Sequence, residues 1–145
     1  PIAAAIYRWT TLGDSVLKGP RRSVRWDVVT NYQAGDQIDA PESIIPENIS
    51  QASGSIRKLN PGQINSKGVG GEAFEANTAR AFLYTGSNKG LQNGVFLVLN
   101  DGRAGYQHRS DALIFLQGFS FGSEEATISF LQPAPIAPAS EPAPA

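Results

Sequence analysis

Residues 94–119 constrain this chain more than any other stretch. "GVFLVLN" (94–100) and "DALIFLQGF" (111–119) are apolar at successive positions, with no polar alternation. A strand with one wet face alternates apolar and polar residues, because successive side chains point to opposite faces. A run that is apolar on both faces must be covered on both. Neither run approaches the roughly 18 apolar residues of a membrane helix, so the economical assignment is two interior strands of a β domain. Between them lies the polar stretch "DGRAGYQHRS".

The rest of the chain supports that assignment. "VRWDVVTNYQ" alternates, with Trp26, Val28, Thr30 and Tyr32 on one face and Asp27, Val29, Asn31 and Gln33 on the other. "ARAFLYTG" (79–86) is a further apolar strand, and the Gly- and Asn-rich "TGSNKGLQNG" after it has the chemistry of a long hairpin loop. "ATISFLQ" closes the β set. In "KLNPGQINSKGVGGEAFEAN", Asn60 is a natural N-cap, Pro61 suits the first helical position, and Gly68, Gly70 and Gly71 stop the helix early. The expectation is a mainly β, antiparallel two-layer sandwich-like domain over residues 1–132, with one or two short helical turns packed as a lid. Residues 133–145 differ in kind. Pro133, Pro135, Pro138, Pro142 and Pro144 are five of the ten prolines, separated mostly by alanine. Proline fixes φ and removes the backbone donor, so this segment reads as an extended arm, expected to dock on a neighbouring subunit.

With 145 residues the chain is one domain, and 12 basic against 13 acidic residues leave a net charge of −1. Bulk charge therefore gives no attraction to polyanions. The distribution is uneven: Arg8, Lys18, Arg21, Arg22 and Arg25 face only Asp14 up to Trp26, whereas Asp36, Asp39, Glu42 and Glu47 lie in a stretch without a base. Lys18, Arg21, Arg22 and Arg25 beside Trp26 could contact phosphates. A single patch of this size reads better as a subunit-facing surface than as a nucleic-acid site. The absence of cysteine excludes disulfides, thiolate nucleophiles and zinc-thiolate centres. "PIAAAIYRW" is too short and wrongly charged for a secretory signal. Pro1 fits a Met-Pro start that has lost its initiator, which gives the expectation of a small complete product without a cleaved leader.

Candidate chemistry gathers around the single histidine. His108, Ser110 and Asp111 are the residue types of a hydrolytic triad, but in an extended segment Asp111 points away from the other two. No catalytic residue is assigned, and no pair among the acidic residues is marked out for glycoside chemistry. "GVGGEA" lacks the lysine and hydroxyl of a phosphate loop. Asn100, Asp101 and Asp111 offer hard oxygen ligands, and Asn-Asp-Gly resembles the start of a calcium loop. The same tripeptide is what a tight turn demands, and the turn is the simpler reading, leaving calcium a minor alternative and no cofactor expected.

Three blocks, "YRWTTLGDSVLKGP", "RWDVVTNYQAGDQIDAP" and "VFLVLNDGRAGYQHRSDALIFLQGF", together resemble the bluetail-type domain. That domain ends surface proteins, chiefly cyanobacterial, and is related to the C-terminal region of RTX proteins exported by type I secretion. Its middle block is matched by Asp27, Val28, Val29, Thr30, Asn31 and Tyr32, then Gly35, Asp36, Ile38 and Asp39. Its last block is matched by Asn100, Asp101, Gly102, Ala104, Gly105, Tyr106 and Gln107, then Ser110, Asp111 and Ala112. The resemblance runs from about Tyr7 to Leu131. Departures are the missing glycine-rich calcium nonapeptides, Asn31 in place of an aspartate, and His108 with Arg109 where small or neutral residues are usual. The last two reduce local negative charge and argue against calcium. His108 and Arg109 are instead expected to face a neighbouring chain.

Together these features predict a non-catalytic structural protein that binds other protein subunits, as a homo-oligomer or on a capsid-type shell, without a membrane span. The concrete form is a virion-surface component such as a capsid cement or decoration protein of a cyanobacterial phage. The alternative is a small type I-exported extracellular or cell-surface protein.

Overall fold

A computed structural model describes residues 5–9, 26–41, 43–45, 47–86, 93–107, 110–122 and 126–131. The chain is mainly β, with eight strands among the described residues: β1 (Ile6–Arg8), β2 (Asp27–Thr30), β3 (Gln37–Asp39), β4 (Gly54–Ile56), β5 (Ala79–Tyr84), β6 (Gly94–Leu99), β7 (Ala112–Gln117) and β8 (Ser129–Phe130). They form a five-stranded sheet in the order β2-β7-β6-β5-β4 and a three-stranded sheet in the order β1-β3-β8.

The two apolar runs lie next to each other inside the larger sheet. β6 pairs antiparallel with β7, Val95 opposite Leu116 and Leu99 opposite Ala112. β5 pairs antiparallel with β6, Ala79 opposite Leu99 and Tyr84 opposite Gly94. The period of two then sorts the side chains. Val95, Leu97, Leu99, Ala112, Ile114 and Leu116 enter one buried cluster, together with Ile38 and Phe130 of the smaller sheet, Trp9, Val29 and Tyr32. Phe82, Tyr84, Phe96, Val98, Leu113 and Phe115 enter a second on the opposite face, with Ile64, Val69, Phe74 and Tyr106. Both faces of β6 and β7 are thus covered, as their composition requires.

Phe96 is the hub of the second cluster. Its ring stacks on Phe82 at 5.4 Å between centroids, lies 4.7 Å from Phe115 and meets Tyr84 and Trp26 edge-on at 6.3 and 5.9 Å. Offset and edge-to-face contacts at these separations add to the burial of the rings themselves.

The antiparallel expectation is only partly right. β2 joins β7 in parallel and β4 joins β5 in parallel, so the larger sheet is mixed. The smaller sheet is parallel throughout. The reason lies in strands too short to show a period: β1, β3 and β4 have three residues each and β8 two. Side chains hold these pieces in place. Asp36 accepts hydrogen bonds from the Ala5 and Gln33 N–H groups at 2.9 and 3.0 Å. The Tyr32 hydroxyl donates to the Asp36 carbonyl at 2.9 Å and accepts from the Ser129 N–H at 2.9 Å, tying β8 to the turn before β3. Arg8 pairs with Asp39 at 2.6 Å across β1 and β3.

The face assignment around β2 also changes. Asn31 takes a left-handed φ of 60° and ends the strand, and Tyr32 after it joins the cluster of Val29, while Val28 within the strand is exposed. The short helix forms where expected, at α1 (Pro61–Gln63), with the Asn60 side chain accepting from the Gln63 N–H at 2.8 Å. It runs into a wider turn, Ile64–Gly68, and a tight turn, Gly71–Ala73, and this segment lies over the Phe96 face.

Because Phe96 touches four rings at once, Phe96→Ala is expected to destabilise the fold by about 3–5 kcal/mol. Chemical denaturation of the variant checks this against Asn60→Ala, for which only the cap's ~1 kcal/mol is expected to be lost.

Candidate functional site

The polar stretch between β6 and β7 builds a buried corner. Continuing the register one step beyond Leu99–Ala112 places Asn100 opposite Asp111, on the face that carries Phe96, Val98, Leu113 and Phe115. Side chains so placed lie about 5 Å apart at Cβ. Both residues are completely buried.

Asp111 organises the loop. Its Oδ1 accepts the Asp101 N–H at 2.9 Å and its Oδ2 the Gln107 N–H at 2.7 Å. One carboxylate therefore holds two distant points of the connection. Asp101 accepts the Arg103 N–H at 3.0 Å and the Ser110 hydroxyl at 2.7 Å. The loop is fixed to the helical segment beneath it: Asn100 Nδ2 donates to the Glu75 and Phe74 carbonyls at 2.8 and 3.2 Å, the Gly105 N–H donates to Phe74 at 2.8 Å, and the Tyr106 N–H donates to Asn65 Oδ1 at 2.9 Å.

The electrostatics follow from burial. Desolvation pushes the Asp111 carboxyl up to about 7, against the pull of its two N–H donors, and the neighbouring Asp101 carboxylate adds to the rise. Burial also opposes ionisation of Asp101, but the Ser110 hydroxyl, the Arg103 N–H, Asp111 and the Arg103 charge together hold it below its ordinary value. Burial and then the Asp111 charge raise the Tyr106 phenol. Three buried side-chain oxygens have no hydrogen-bond partner among the described residues, and all three belong to this loop: Asn100 Oδ1, Tyr106 Oη and Gln107 Oε1.

The structure thus brings Asn100, Asp101 and Asp111 together. It gives Ser110 and Asp111 separate work, since Ser110 donates to Asp101 while Asp111 holds main-chain amides. Among the described residues no group of three or more histidine or acidic side chains gathers in a way that could hold a metal. Lys18, Arg21, Arg22, Arg25, His108, Arg109, Pro133, Pro135, Pro138 and Pro142, singled out as subunit contacts, lie outside the described residues. Part of the acidic stretch is already engaged: Asp36 is buried on amides and Asp39 is paired with the exposed Arg8. Among the described residues no helix is long and apolar enough to cross a membrane.

A second feature escaped the sequence reading. An open trough of about 480 Å³ lies between β1 and β2 and is lined by Ile6, Tyr7, Arg8, Trp9, Asp27, Val28 and Val29. The Trp9 indole N–H donates to Asp27 at 2.7 Å across it. Ile6 and Val28, 52% and 48% exposed, are two of the three large exposed apolar side chains among the described residues. Both sit on the outer strands of their sheets. Only the pairing order could have revealed them, since the sequence does not show which strands end a sheet.

Comparison of the chain with protein-family models, with curated proteins and with solved structures finds no match in any of the three.

The pH dependence of the corner has a definite sign. The folded state keeps a proton on Asp111 that the unfolded chain releases near pH 4. The stability from that group is full below about pH 4 and is lost as pH rises through about 7. In metal-free buffer, urea unfolding is expected to show a fall on the order of 2–4 kcal/mol between pH 4.5 and 8. Asp111→Asn is expected to remove most of that slope.

Proposed function

We propose that this chain is a non-catalytic structural protein that adds to a larger surface assembly through protein–protein contacts, its concrete form being a capsid decoration subunit of a virion. The observation that carries the reading is the trough between the two outer strands β1 and β2, with Ile6 and Val28 exposed on them. Outer strands carry unpaired main-chain donors and acceptors, and proteins normally blunt them with charge or proline. Apolar residues at such an edge favour a protein surface over water. The Pro133–Pro144 arm adds a second element suited to a neighbour, because a polyproline-like segment gives up little entropy when it docks. The basic residues Lys18, Arg21, Arg22 and Arg25 beside an acidic stretch supply charge for orienting such contacts.

The resemblance to the bluetail-type domain favours a second reading, a small protein exported by a type I system to the cell surface. The two differ in where the native protein is found. Recovery with sedimenting particles, at a fixed ratio to a shell protein, is expected for the decoration subunit. Recovery as free protein in the culture medium would replace it with the exported form.

The contact surface is open to direct test. Ile6→Lys and Val28→Lys change exposed positions and are expected to alter folding stability by no more than about 0.5 kcal/mol. Together they are expected to lower co-sedimentation with the native assembly at least tenfold, and removal of Pro133 to Ala145 to weaken it as well. Undiminished co-sedimentation of all three variants would refute the proposal.

A further inference from the structure

The Asn100–Asp111 corner has an internal imbalance that its hydrogen bonds do not resolve. Asp111 is fully buried, and no basic side chain among the described residues pairs with it. The charge that acts on it among the described residues is that of another carboxylate, Asp101. Ionising Asp111 there without a compensating charge costs several kcal/mol.

Around this pair stand oxygen atoms with nothing bound to them. The amide of Asn100 is held by its nitrogen on the Glu75 and Phe74 carbonyls, which fixes Oδ1 as the free end of a wholly buried side chain opposite Asp111. Gln107 is held likewise, Nε2 on the Ala104 carbonyl at 2.9 Å and Oε1 buried without a partner. The buried Tyr106 hydroxyl, close enough to feel the Asp111 charge, has no partner either. Each such atom, left alone, costs about 1–3 kcal/mol. These oxygens belong to residues that border the two carboxylates, Asn100 one step beyond the Leu99–Ala112 pair and Gln107 through its N–H on Asp111, and a group suited to all of them is positively charged and takes oxygen ligands.

We propose that the corner is a calcium site, with Asp101, Asp111 and the side-chain carbonyls of Asn100 and Gln107 as its protein ligands. The donor set contains neither sulfur nor imidazole among the described residues, which selects a hard cation. Two carboxylates combined with neutral carbonyl oxygens on an irregular loop suit the variable coordination of calcium better than the strict octahedron of magnesium. The N–H bonds already made to Asp101 and Asp111 do not block ligation, because an ionised carboxylate has about four lone-pair positions. They fix its orientation instead. With only two formal charges the site belongs to the weak class, with a dissociation constant on the order of 10⁻⁴–10⁻³ M. The proposal is independent of the assembly reading: the loop could bind calcium whether or not the trough binds protein.

Thermal unfolding of the full chain in 10 mM calcium, in 10 mM magnesium and in chelator tests it directly. Calcium is expected to raise the midpoint by about 4–8 °C over chelator, and magnesium by much less. Terbium, a calcium mimic, is expected to give tyrosine-sensitised emission that calcium competes away and that Tyr106→Phe reduces. Asp101→Asn removes one charge, and its single amide oxygen still accepts one of the two hydrogen bonds that Arg103 and Ser110 make to the carboxylate. It is expected to lower stability in chelator by no more than the loss of one hydrogen bond, about 0.5–1.5 kcal/mol, and to weaken calcium binding at least tenfold. Equal shifts with the two cations, no competed terbium emission, or an undiminished calcium shift in Asp101→Asn would each overturn the proposal.

Discussion

The fold depends on one constraint: β6 and β7 lie side by side with no face that tolerates water. Val95, Leu97, Leu99, Ile114 and Leu116 require cover on one side, and Phe96, Val98, Leu113 and Phe115 require it on the other. Burying an aliphatic or aromatic side chain of this kind contributes about 1.5–3 kcal/mol, so these strands dominate the stabilisation. The rest of the chain can be understood as the means of covering them. Ile38, Phe130 and Trp9 cover one face, and Ile64, Val69 and Phe74 cover the other.

That constraint also explains the polarity of the corner. A strand that leaves a core covered on both faces brings its main-chain groups out through a buried layer, where every N–H and C=O needs a partner. Asp111 meets this need at the point where the chain returns to the sheet, taking the amides of Asp101 and Gln107 on its two oxygens. The residue types that suggested a triad are therefore first a solution to loop closure. Their charge remains as a separate property, available for chemistry that the closure does not use.

Long, periodic elements were legible in the sequence. β5, β6 and β7 span 79–84, 94–99 and 112–117, ending within two residues of the apolar runs that announced them, and Asn60 with Pro61 announced the helix start. The smaller sheet was not legible. Gln37–Asp39 and Ser129–Phe130 carry too few residues for a period, and their pairing depends on contacts made by Tyr32 and Asp36 at a distance. The alternation through β2 failed at Asn31, whose left-handed φ ends the strand, and Tyr32 after it joins the cluster of Val29. At the corner, Asn100, Asp101 and Asp111 were recognisable as oxygen donors. That Asn100 stands opposite Asp111 became visible only with the register, and Tyr106 and Gln107, though part of the resembling block, carried no signal that their side-chain oxygens are buried.

The parallel sheet has a consequence for how the molecule comes together in time. β5, β6 and β7 are consecutive in sequence and pair through local connections, with far less closure entropy than the strands of the smaller sheet. β1 must instead find β3, some thirty residues away, and β3 must find β8, some ninety residues further on. Contacts of such separation form late and slowly. A chain still being synthesised could complete the hairpin of β5 and β6 while the Ile38–Phe130 layer is missing. Until Phe130 arrives, the Val95–Leu97–Leu99 face has lost part of its cover. The interval between these two events is when this protein is most exposed to association with the wrong partner.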